Sequence, residues 1–298
     1  MHQSKAIHAA LSLIFVFSFA PAQAQPQSSW TGVDQALGRS GTTQPDTARR
    51  YSFPRSDLKV QLDGVTIKPA LALGSWVAFQ PMGSSGRGVV MGDLVLTQDE
   101  VNPVMGELLK DGIKVTAVHN HLLRSSPSTM YMHILGQGDL ARLATSLHTA
   151  LGLSQTPLAP PSQSTAPALD LDTAAIDRIM GRQGKASGGV YQFTVPRRET
   201  ITEGGMALGV SMGTGTAINF QPVGAGRAAV TGDFVLLASE VDPVMRTLRS
   251  AGIDVTALHS HMLDERPKLY FMHFWAVADA SRLAQGLHAA LGRMTVQR

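Results

Sequence analysis

The chain contains an internal duplication, and its histidines show it most clearly. Eight of the ten histidines fall into four pairs whose members lie 140 positions apart. These pairs are His119 with His259, His121 with His261, His133 with His273, and His148 with His288. From position 89 to 152, about half of the residues are identical between the copies, which is far beyond chance for a repeat of this length. Such a long period predicts two domains of one fold rather than a solenoid of short repeats.

Composition marks the boundary between the copies. Residues 154–170 are rich in proline, serine and alanine, which bury little apolar surface and exclude regular pairing, so they are typical of an extended linker. We therefore predict a first repeat domain over residues 25–153 and a second over residues 171–298. With 44% hydrophobic residues, the chain is long enough to form two cores.

Residues 1–24 have the pattern of an export signal. Lys5 supplies positive charge, an apolar run follows over residues 9–20, and Ala22 and Ala24 frame a small-residue cleavage site. The run is shorter than the roughly 20 residues that a membrane span needs. The chain has no cysteine, which excludes disulfides, thiolate metal sites and a lipid-modified N-terminus. We expect a periplasmic or secreted protein with no stable membrane span after signal cleavage.

Each copy predicts the same succession of elements. In the first copy, Gly92 and Asp93 are interpreted as a turn that opens a short strand. Thr97 and Glu100 form a capping-box pattern before a helix, two strands follow, and Asp139 begins a last helix. Further strands are expected upstream. This order predicts an α+β fold, in which each domain is an antiparallel sheet with helices packed on one face.

Three histidines of each copy are predicted to meet on one face of the sheet. Side chains alternate along a strand, so His119 and His121 share a face. If residues 113–123 and 130–135 pair as a hairpin centred on Pro127, His121 lies directly opposite His133, with Cβ atoms roughly 5 Å apart. The same arithmetic about Pro267 brings together the second trio, His259, His261 and His273.

Three neutral imidazoles with an open coordination position suit a divalent transition metal, with zinc expected and copper as the alternative. The competing interpretation is that the histidines are structural and form hydrogen bonds within the sheet. Clustered imidazoles in a buried patch cannot all be protonated, so a shared cation or a wet cleft is the natural compensation. His148 and His288 lie beside leucines and are expected to pack on the last helix of each copy.

Four carboxylates are candidates to complete these sites. Glu100 and Glu240 open the first helix of each copy, and Asp93 and Asp233 precede it. Each could be a fourth ligand or the general base for a metal-bound water, which makes Glu100 and Glu240 candidate catalytic residues. The alternative is that the glutamates cap their helices and that the aspartates mark turns.

Four arginines also occur in both copies. Arg55 with Arg197 and Arg87 with Arg227 could bind a small anion, although surface ion pairing is the default interpretation.

The motifs resemble a known family. The blocks from Gly92 to Leu96, from Glu100 to Met105 and from Gly112 to His121, together with Met130 to His133, are similar to the LppY/LpqO family of exported bacterial proteins. The resemblance covers both copies, although the cysteine that the lipoprotein members carry is missing. It implies export and a tandem domain of unknown function, and it implies no particular reaction.

Three functions remain open at this point. The first is an exported metal-binding protein with a histidine site in each domain, and the second is a zinc-dependent hydrolase that uses the same histidines. The third is a non-enzymatic module of the cell envelope that binds a small anionic ligand or a partner. The net charge of +3 is small and no basic-aromatic cluster accompanies it, so we expect no nucleic-acid partner.

Overall fold

The computed structural model of the chain describes residues 28–160 and 168–297. The predicted export signal, residues 1–24, lies outside these ranges, as does the centre of the predicted linker. Within them, every helix is too short or too polar to cross a membrane.

The first half contains four helices and eight strands among the described residues. In chain order these are α1 (Ser28–Leu37), β1 (Thr42–Thr43), β2 (Arg49–Pro54), β3 (Gln61–Leu62), β4 (Val65–Thr66), α2 (Pro69–Ala72), β5 (Gly74–Pro81), β6 (Arg87–Thr97), α3 (Gln98–Lys110), β7 (Lys114–His119), β8 (Thr129–Asp139) and α4 (Leu140–Leu151).

The second half repeats this order, with a 3-10 helix at Val210–Met212 in the place of α2. Its other elements are α5 (Thr173–Met180), β9 (Lys185–Ser187), β10 (Val190–Val195), β11 (Thr202–Glu203), β12 (Met206–Ala207), β13 (Thr216–Gly224), β14 (Arg227–Leu236), α6 (Ala238–Ser250), β15 (Asp254–His259), β16 (Tyr270–Asp279) and α7 (Ala280–Leu291).

Each half forms one six-stranded antiparallel sheet. The strand order is β1-β2-β5-β6-β8-β7 in the first half and β9-β10-β13-β14-β16-β15 in the second. All neighbouring strands in both sheets run antiparallel. The predicted α+β class is therefore confirmed: two similar halves, each an antiparallel sheet with helices.

Local sequence signals explain where the helices begin. At the start of α3, the carboxylate of Glu100 accepts a hydrogen bond from the N–H of Thr97, which is one of the two bonds of the predicted capping box. The carboxylate of Asp139 accepts a hydrogen bond from the N–H of Arg142 at the start of α4, and Asp279 does the same for α7. These side chains satisfy backbone N–H groups that have no partner within the helix.

The long helices (α1, α3 and α4 in the first half, α5, α6 and α7 in the second) pack on one face of their sheet. The short α2 and the 3-10 helix instead lie between the two sheets, where Leu71 and Met212 belong to apolar clusters shared by both halves. We call the sheet face that the long helices leave uncovered the helix-free face. In β8, Met132 and Ile134 point into the apolar core beneath the helices, whereas Tyr131 and His133 point to the opposite, helix-free face because side chains alternate along a strand. The second half has the same arrangement, with Met272 and Phe274 in its own core. Met132 and Met272 therefore lie on the face opposite the neighbouring histidines.

The helix-free faces of the two sheets are covered by the other half. Two apolar clusters draw residues from both halves. In one, Ile201, Leu208 and Met212 of the second half pack with Ala78 and Met91 of the first. In the other, the members are Leu62, Leu71, Val95, Tyr131, Val190, Ala229 and Trp275, among others. The order of layers is therefore helices, sheet, sheet, helices.

Reciprocal hydrogen bonds fix the two halves about a pseudo-two-fold axis. Gln80 accepts from the N–H of Gly209 and donates to the carbonyl of Ala207. Its counterpart Gln221 accepts from the N–H of Lys68 and donates to the carbonyl of Thr66. Such self-complementary contacts are typical of a two-fold interface, here within one chain.

The start of the predicted linker is held by the first half. Arg39 donates to the carbonyls of Leu158 and Ala159 at 2.6 and 2.9 Å, and the N–H of Gln155 donates to Glu100 at 2.7 Å. Residues 154–159 thus form part of the first half's packing.

Candidate metal centre

The register of the strands places an aspartate beside a histidine on each helix-free face. In the first sheet, His133 of β8 pairs with Asp93 of β6 on one side and with Ala117 of β7 on the other. In the second sheet, His273 pairs with Asp233 and Ala257. Directly paired residues of an antiparallel ladder project from the same face, so each histidine and its aspartate point together towards the other half.

The predicted hairpin register is wrong by four residues. His121 does not lie opposite His133; Ala117 does, after a bulge between Val115 and Ala117, and β7 ends at His119. The reason is that the connection from β7 to β8 is not a simple hairpin turn. Ser126 within it exchanges two backbone hydrogen bonds, of 2.8 and 2.9 Å, with Gln61 of β3. His121 therefore reaches the site from this loop.

The three histidines of each copy nevertheless lie close together. In the first half, the ring of His119 lies 4.8 Å from that of His121 and 5.1 Å from that of His133, measured between centroids. In the second half, the ring of His259 lies 4.8 Å from that of His261 and 4.9 Å from that of His273.

The two trios form one cluster, which differs from the expected separate site in each domain. The ring of His119 lies 3.6 Å from that of His259, and His121 lies at the same distance from His273. His133 lies 3.5 Å from His261. The sequence of one copy predicts which face of its sheet bears the histidines. It does not predict that the equivalent face of the other copy covers them.

Each aspartate faces two histidines of its own half at distances beyond a hydrogen bond. The Asp93 carboxylate lies 4.0 Å from Nε2 of His121 and 3.7 Å from Nε2 of His133. The Asp233 carboxylate lies 3.7 Å from Nε2 of His261 and 3.9 Å from Nε2 of His273. We call these two sets the first triad (Asp93, His121, His133) and the second triad (Asp233, His261, His273).

Several potential ligand atoms in the triads are buried and have no hydrogen-bond partner among the described residues. They are Oδ1 of Asp93, Nε2 of His133, Oδ1 of Asp233, Nε2 of His261 and Nε2 of His273. Most buried polar atoms in folded proteins have a partner, so a group of lone pairs that face one another needs an explanation. The donor atoms of each triad lie within 4.8 Å of one another, close enough to share a cation.

Burial controls the charge of the whole cluster. It lowers the pKa of His119 to about 3 and that of His259 to about 4, and the other four histidines fall well below their usual value. Burial also raises the pKa of Asp93 to about 7, against the attraction of Arg50. For Asp233, burial and then repulsion by Asp93 raise the pKa well above its usual value. Neutral imidazoles beside carboxylates that resist ionisation are the environment that a bound cation would stabilise.

One histidine shows how the backbone orients a ligand atom. Nδ1 of His273 lies 2.8 Å from the carbonyl oxygen of Gly232, so Nδ1–H donates to that oxygen. Nε2 then carries the lone pair and faces Asp233. Histidines that bind metals are commonly oriented through their second nitrogen in this way.

The glycines before the aspartates are required by close strand packing. A Cβ atom on Gly232 would lie 2.0 Å from the carbonyl oxygen of Ala217, and one on Gly92 would lie 2.6 Å from that of Trp76. The interpretation of Gly92 and Asp93 as a turn is therefore wrong, since both lie in the middle of β6. The Gly-Asp dipeptide is instead a signal for the site, because glycine lets the adjacent strand approach the aspartate.

Glu100 and Glu240 belong to different networks. Both oxygens of Glu100 accept hydrogen bonds from Arg55, at 2.7 and 3.1 Å, and from the N–H groups of Thr97 and Gln155. Glu240 has the same contacts with Arg197. Among the described residues, neither glutamate belongs to a group of side chains that could share a metal ion. Arg55 and Arg197, two of the candidate anion-binding arginines, are buried partners of these carboxylates.

A cavity of about 720 Å³ reaches the histidine cluster. Both triads line it, together with Arg50, Trp76 and residues of the second half such as Gln192 and Phe193. The potential ligand atoms therefore face a space that a small molecule can occupy.

Comparison with known proteins identifies the family of the chain. The family described as Domain of Unknown Function (DUF1259) matches twice, over residues 31–153 and 174–293. The chain belongs to this family. The two matches correspond to the two halves, each with one aspartate and three histidines of the cluster.

Other comparisons add little. None of the curated proteins matches the chain. Among solved structures, a trimeric bacterial microcompartment shell protein, PduB, is similar at 12% sequence identity, over 85% of this chain and 89% of that chain, with a TM-score of 0.21. A similarity at this level carries no argument about the function of this DUF1259 protein.

Proposed function

We propose that the two halves of this protein together build one transition-metal centre that holds two ions, one at each triad. The observation that carries the proposal is the pair of Asp-His-His sets, in which five buried ligand atoms have no hydrogen bond and lie near one another. Nε2 of His121, the remaining histidine nitrogen, lies 2.9 Å from Nε2 of His119. Zinc is the expected ion.

The chemistry of the donors supports a metal ion. Two neutral imidazoles and one carboxylate are a set that zinc and ferrous iron accept, with coordination positions left for water or substrate. Ligand atoms that share an ion with bonds near 2.1 Å lie roughly 3 to 4 Å from each other. The spacings of 3.7 to 4.0 Å between Nε2 atoms and carboxylate oxygens fit a shared ion better than a hydrogen bond.

A purely structural role explains the same atoms less well. Structural histidines normally satisfy both ring nitrogens with hydrogen bonds, because an unpaired buried polar atom costs about 1 to 3 kcal/mol. In this cluster the unpartnered nitrogens occur at equivalent positions of both halves, His133 and His273, and point at aspartates that also lack partners. Such repetition supports a common ligand.

We further propose that the protein acts outside the cytoplasm. The support is the signal-like pattern of residues 1–24 and the resemblance to the exported LppY/LpqO family. Neutral imidazoles are available as ligands at the pH of most extracytoplasmic compartments, because their pKa values lie far below neutrality.

A metal-dependent hydrolase is the second candidate, and the cavity favours it. A closed storage site would have no access, whereas this cavity of about 720 Å³ meets both triads. A divalent ion there could activate water for attack on a small substrate. Glu100 and Glu240 are engaged elsewhere, so a base would have to come from the aspartates or histidines of the cluster.

Elemental analysis tests the proposal. The mature protein is purified from the periplasm without chelator, beside the double variant His121→Ala, His261→Ala, which removes one ligand from each triad. The matched control is His148→Ala, His288→Ala, since these histidines lie on α4 and α7 outside the groups of potential ligands. Mass spectrometry of the same sample shows whether the signal has been removed.

We expect two equivalents of metal in the wild type and in the control, and background metal in the double variant. Near-zero metal in the wild type contradicts the proposal. One equivalent would replace the two triads by a single site shared between the halves, for which His119, His121, His259 and His273 are the ligands within reach of one another.

A further inference from the structure

Arg50 lies on the same face of the first sheet as the metal centre. Trp76 of β5 pairs with Ser52 of β2 on one side and with Asp93 of β6 on the other. Arg50 is two residues from Ser52 and therefore projects from the same face. Arg50, Trp76 and Asp93 thus form a row across the helix-free face that leads to the first triad, and all three line the cavity.

The guanidinium group of Arg50 has no carboxylate within ion-pair distance among the described residues. Its carbon lies 3.8 Å from the ring centroid of Trp76, and Nη1 donates to the carbonyl of Ser211 at 3.0 Å. Arg55 and Arg197, by contrast, are each paired with a glutamate at 2.7 Å. Burial lowers the pKa of Arg50 to about 10, against the attraction of Asp93 and Asp46, so the group stays cationic at neutral pH.

The duplication did not preserve this feature in the second half. By register, Thr194 pairs with Ala217 as Ser52 pairs with Trp76, and Ala217 pairs with Asp233. The counterpart of Trp76 is therefore Ala217, and the counterpart of Arg50 is Gln192. Gln192 is neutral and donates to the carbonyl of Ala70 at 2.9 Å. The guanidinium group at one end of the cavity thus has no cationic counterpart at the pseudo-symmetric position.

We propose that the cavity binds one small organic carboxylate, with the carboxylate group on Arg50 and the rest of the molecule facing the triads. The inference rests on the proposed metal centre, because the ligand would lie beside it. A planar guanidinium with free N–H groups matches a carboxylate, and a volume of about 720 Å³ suits a small molecule.

The surroundings favour a monoanion with an apolar body. Trp76, Pro69 and Val210 offer apolar surface in the cavity. Asp46 and Asp93 also act on Arg50, so a doubly charged phosphate would face two carboxylates and a single guanidinium. A monocarboxylate is repelled less by the same groups.

Titration calorimetry with benzoate tests this inference on the full mature protein. The variants are Arg50→Gln and Arg50→Lys, and the matched control is Arg246→Gln, because Arg246 is an exposed arginine on α6. Benzyl alcohol serves as the neutral analogue and inorganic phosphate as the competing anion. Metal content is measured on every sample, and each titration is repeated after chelator treatment.

We expect benzoate to bind the wild type and the control equally, and to bind Arg50→Gln at least tenfold more weakly. Arg50→Lys should fall between them, because lysine keeps the charge but loses the bidentate geometry. Benzyl alcohol should bind at least tenfold more weakly than benzoate to the wild type.

Equal binding of benzoate to the wild type and Arg50→Gln overturns the inference, as does the absence of benzoate binding by a protein that holds its metal. Tighter binding of phosphate overturns the choice of a carboxylate. Failure of the metal centre itself would be seen separately, as a wild type without metal. Benzoate binding that still depends on Arg50 in such a sample would support the anion site alone.

Discussion

The buried pair between Arg55 and Glu100 allows a strong prediction about a residue that resembles a catalytic base in the sequence. Glu100→Ala removes a carboxylate that accepts two hydrogen bonds from Arg55 and one each from the N–H groups of Thr97 and Gln155. The Arg55 side chain is fully buried and that of Glu100 is 9% exposed, so water compensates little. Burial alone would raise the pKa of Glu100, but the Arg55 ion pair and the backbone N–H groups hold it below its usual value.

The expected cost follows from these contacts. Breaking a buried ion pair by removing one partner typically costs about 3 to 5 kcal/mol, because the remaining charge stays buried. This cost includes about 1 kcal/mol for the loss of the hydrogen bond by which Glu100 caps the start of α3. Arg55 keeps Asp57 and the carbonyl of Val95 as partners, so we expect a loss of about 3 to 4 kcal/mol.

Urea unfolding followed by circular dichroism measures the loss. The matched control is Glu107→Ala on the same helix, where the partner Lys110 is 71% exposed and solvent screens the pair, so the expected loss is much smaller. Metal content of folded Glu100→Ala should equal that of the wild type. If Glu100→Ala is destabilised no more than Glu107→Ala, the estimated cost of breaking the buried ion pair is wrong. If folded Glu100→Ala loses its metal, Glu100 is not independent of the metal centre.

Three further predictions concern the strands, the metal and pH. Gly232→Ala should lower the free energy of unfolding by about 1 to 3 kcal/mol and reduce metal content, because its Cβ would meet the carbonyl of Ala217. The control Gly106→Ala, at an open position of α3, should instead stabilise the protein by about 0.5 kcal/mol. Urea unfolding measures both variants. Chelation should lower the midpoint of thermal unfolding by about 5 to 10 °C, as expected for an ion that is bound at about 100 times its Kd, and an unchanged midpoint would contradict metal binding to the folded state. In the chelated protein, the pKa values of His119 and His259 in the folded state lie below the unfolded value of 6.5. Their contribution to the free energy of unfolding is therefore fully present above pH 6.5 and is lost as pH falls towards 4. Asp93 has the opposite effect, because its raised pKa stabilises the folded state as pH falls below 7. Six histidines outweigh two aspartates, so the urea midpoint of unfolding should be lower at pH 5 than at pH 7. The reverse order would contradict burial of the imidazoles.

The parts of the fold that depend on local sequence could be predicted. The capping box at Thr97 and Glu100 and the cap at Asp139 mark where α3 and α4 begin. Alternation along β8 separates His133 from the core residue Met132. These features depend on neighbours in sequence and on simple periodicity, which a single chain displays.

The parts of the fold that depend on contacts between residues far apart in the chain could not be predicted. The pairing of Ala117 with His133 depends on a bulge in β7 and on the bridge from Ser126 to Gln61, 65 positions earlier in the chain. No local pattern specifies either one. The predicted register was therefore wrong although the trio of rings still converges.

The union of the two trios was also beyond the pattern of one copy. A duplicated domain with a polar helix-free face has to cover that face, and a second copy of the same face is a natural cover. The signal was present in the conserved pair Gln80 and Gln221, whose amides bind the opposite half. The role of Arg50 depends on a difference between the copies, which becomes visible only when the strand register aligns it with Gln192.

The central claim is that ligands from both halves surround metal ions between the two sheets. Anomalous diffraction from crystals of protein purified without chelator, recorded on both sides of the zinc absorption edge, tests it most directly. We expect two peaks, one at Asp93, His121 and His133 and the other at Asp233, His261 and His273. Crystals that give no peak between the sheets, or in which Nε2 of each triad histidine is hydrogen-bonded to protein or water, would contradict it.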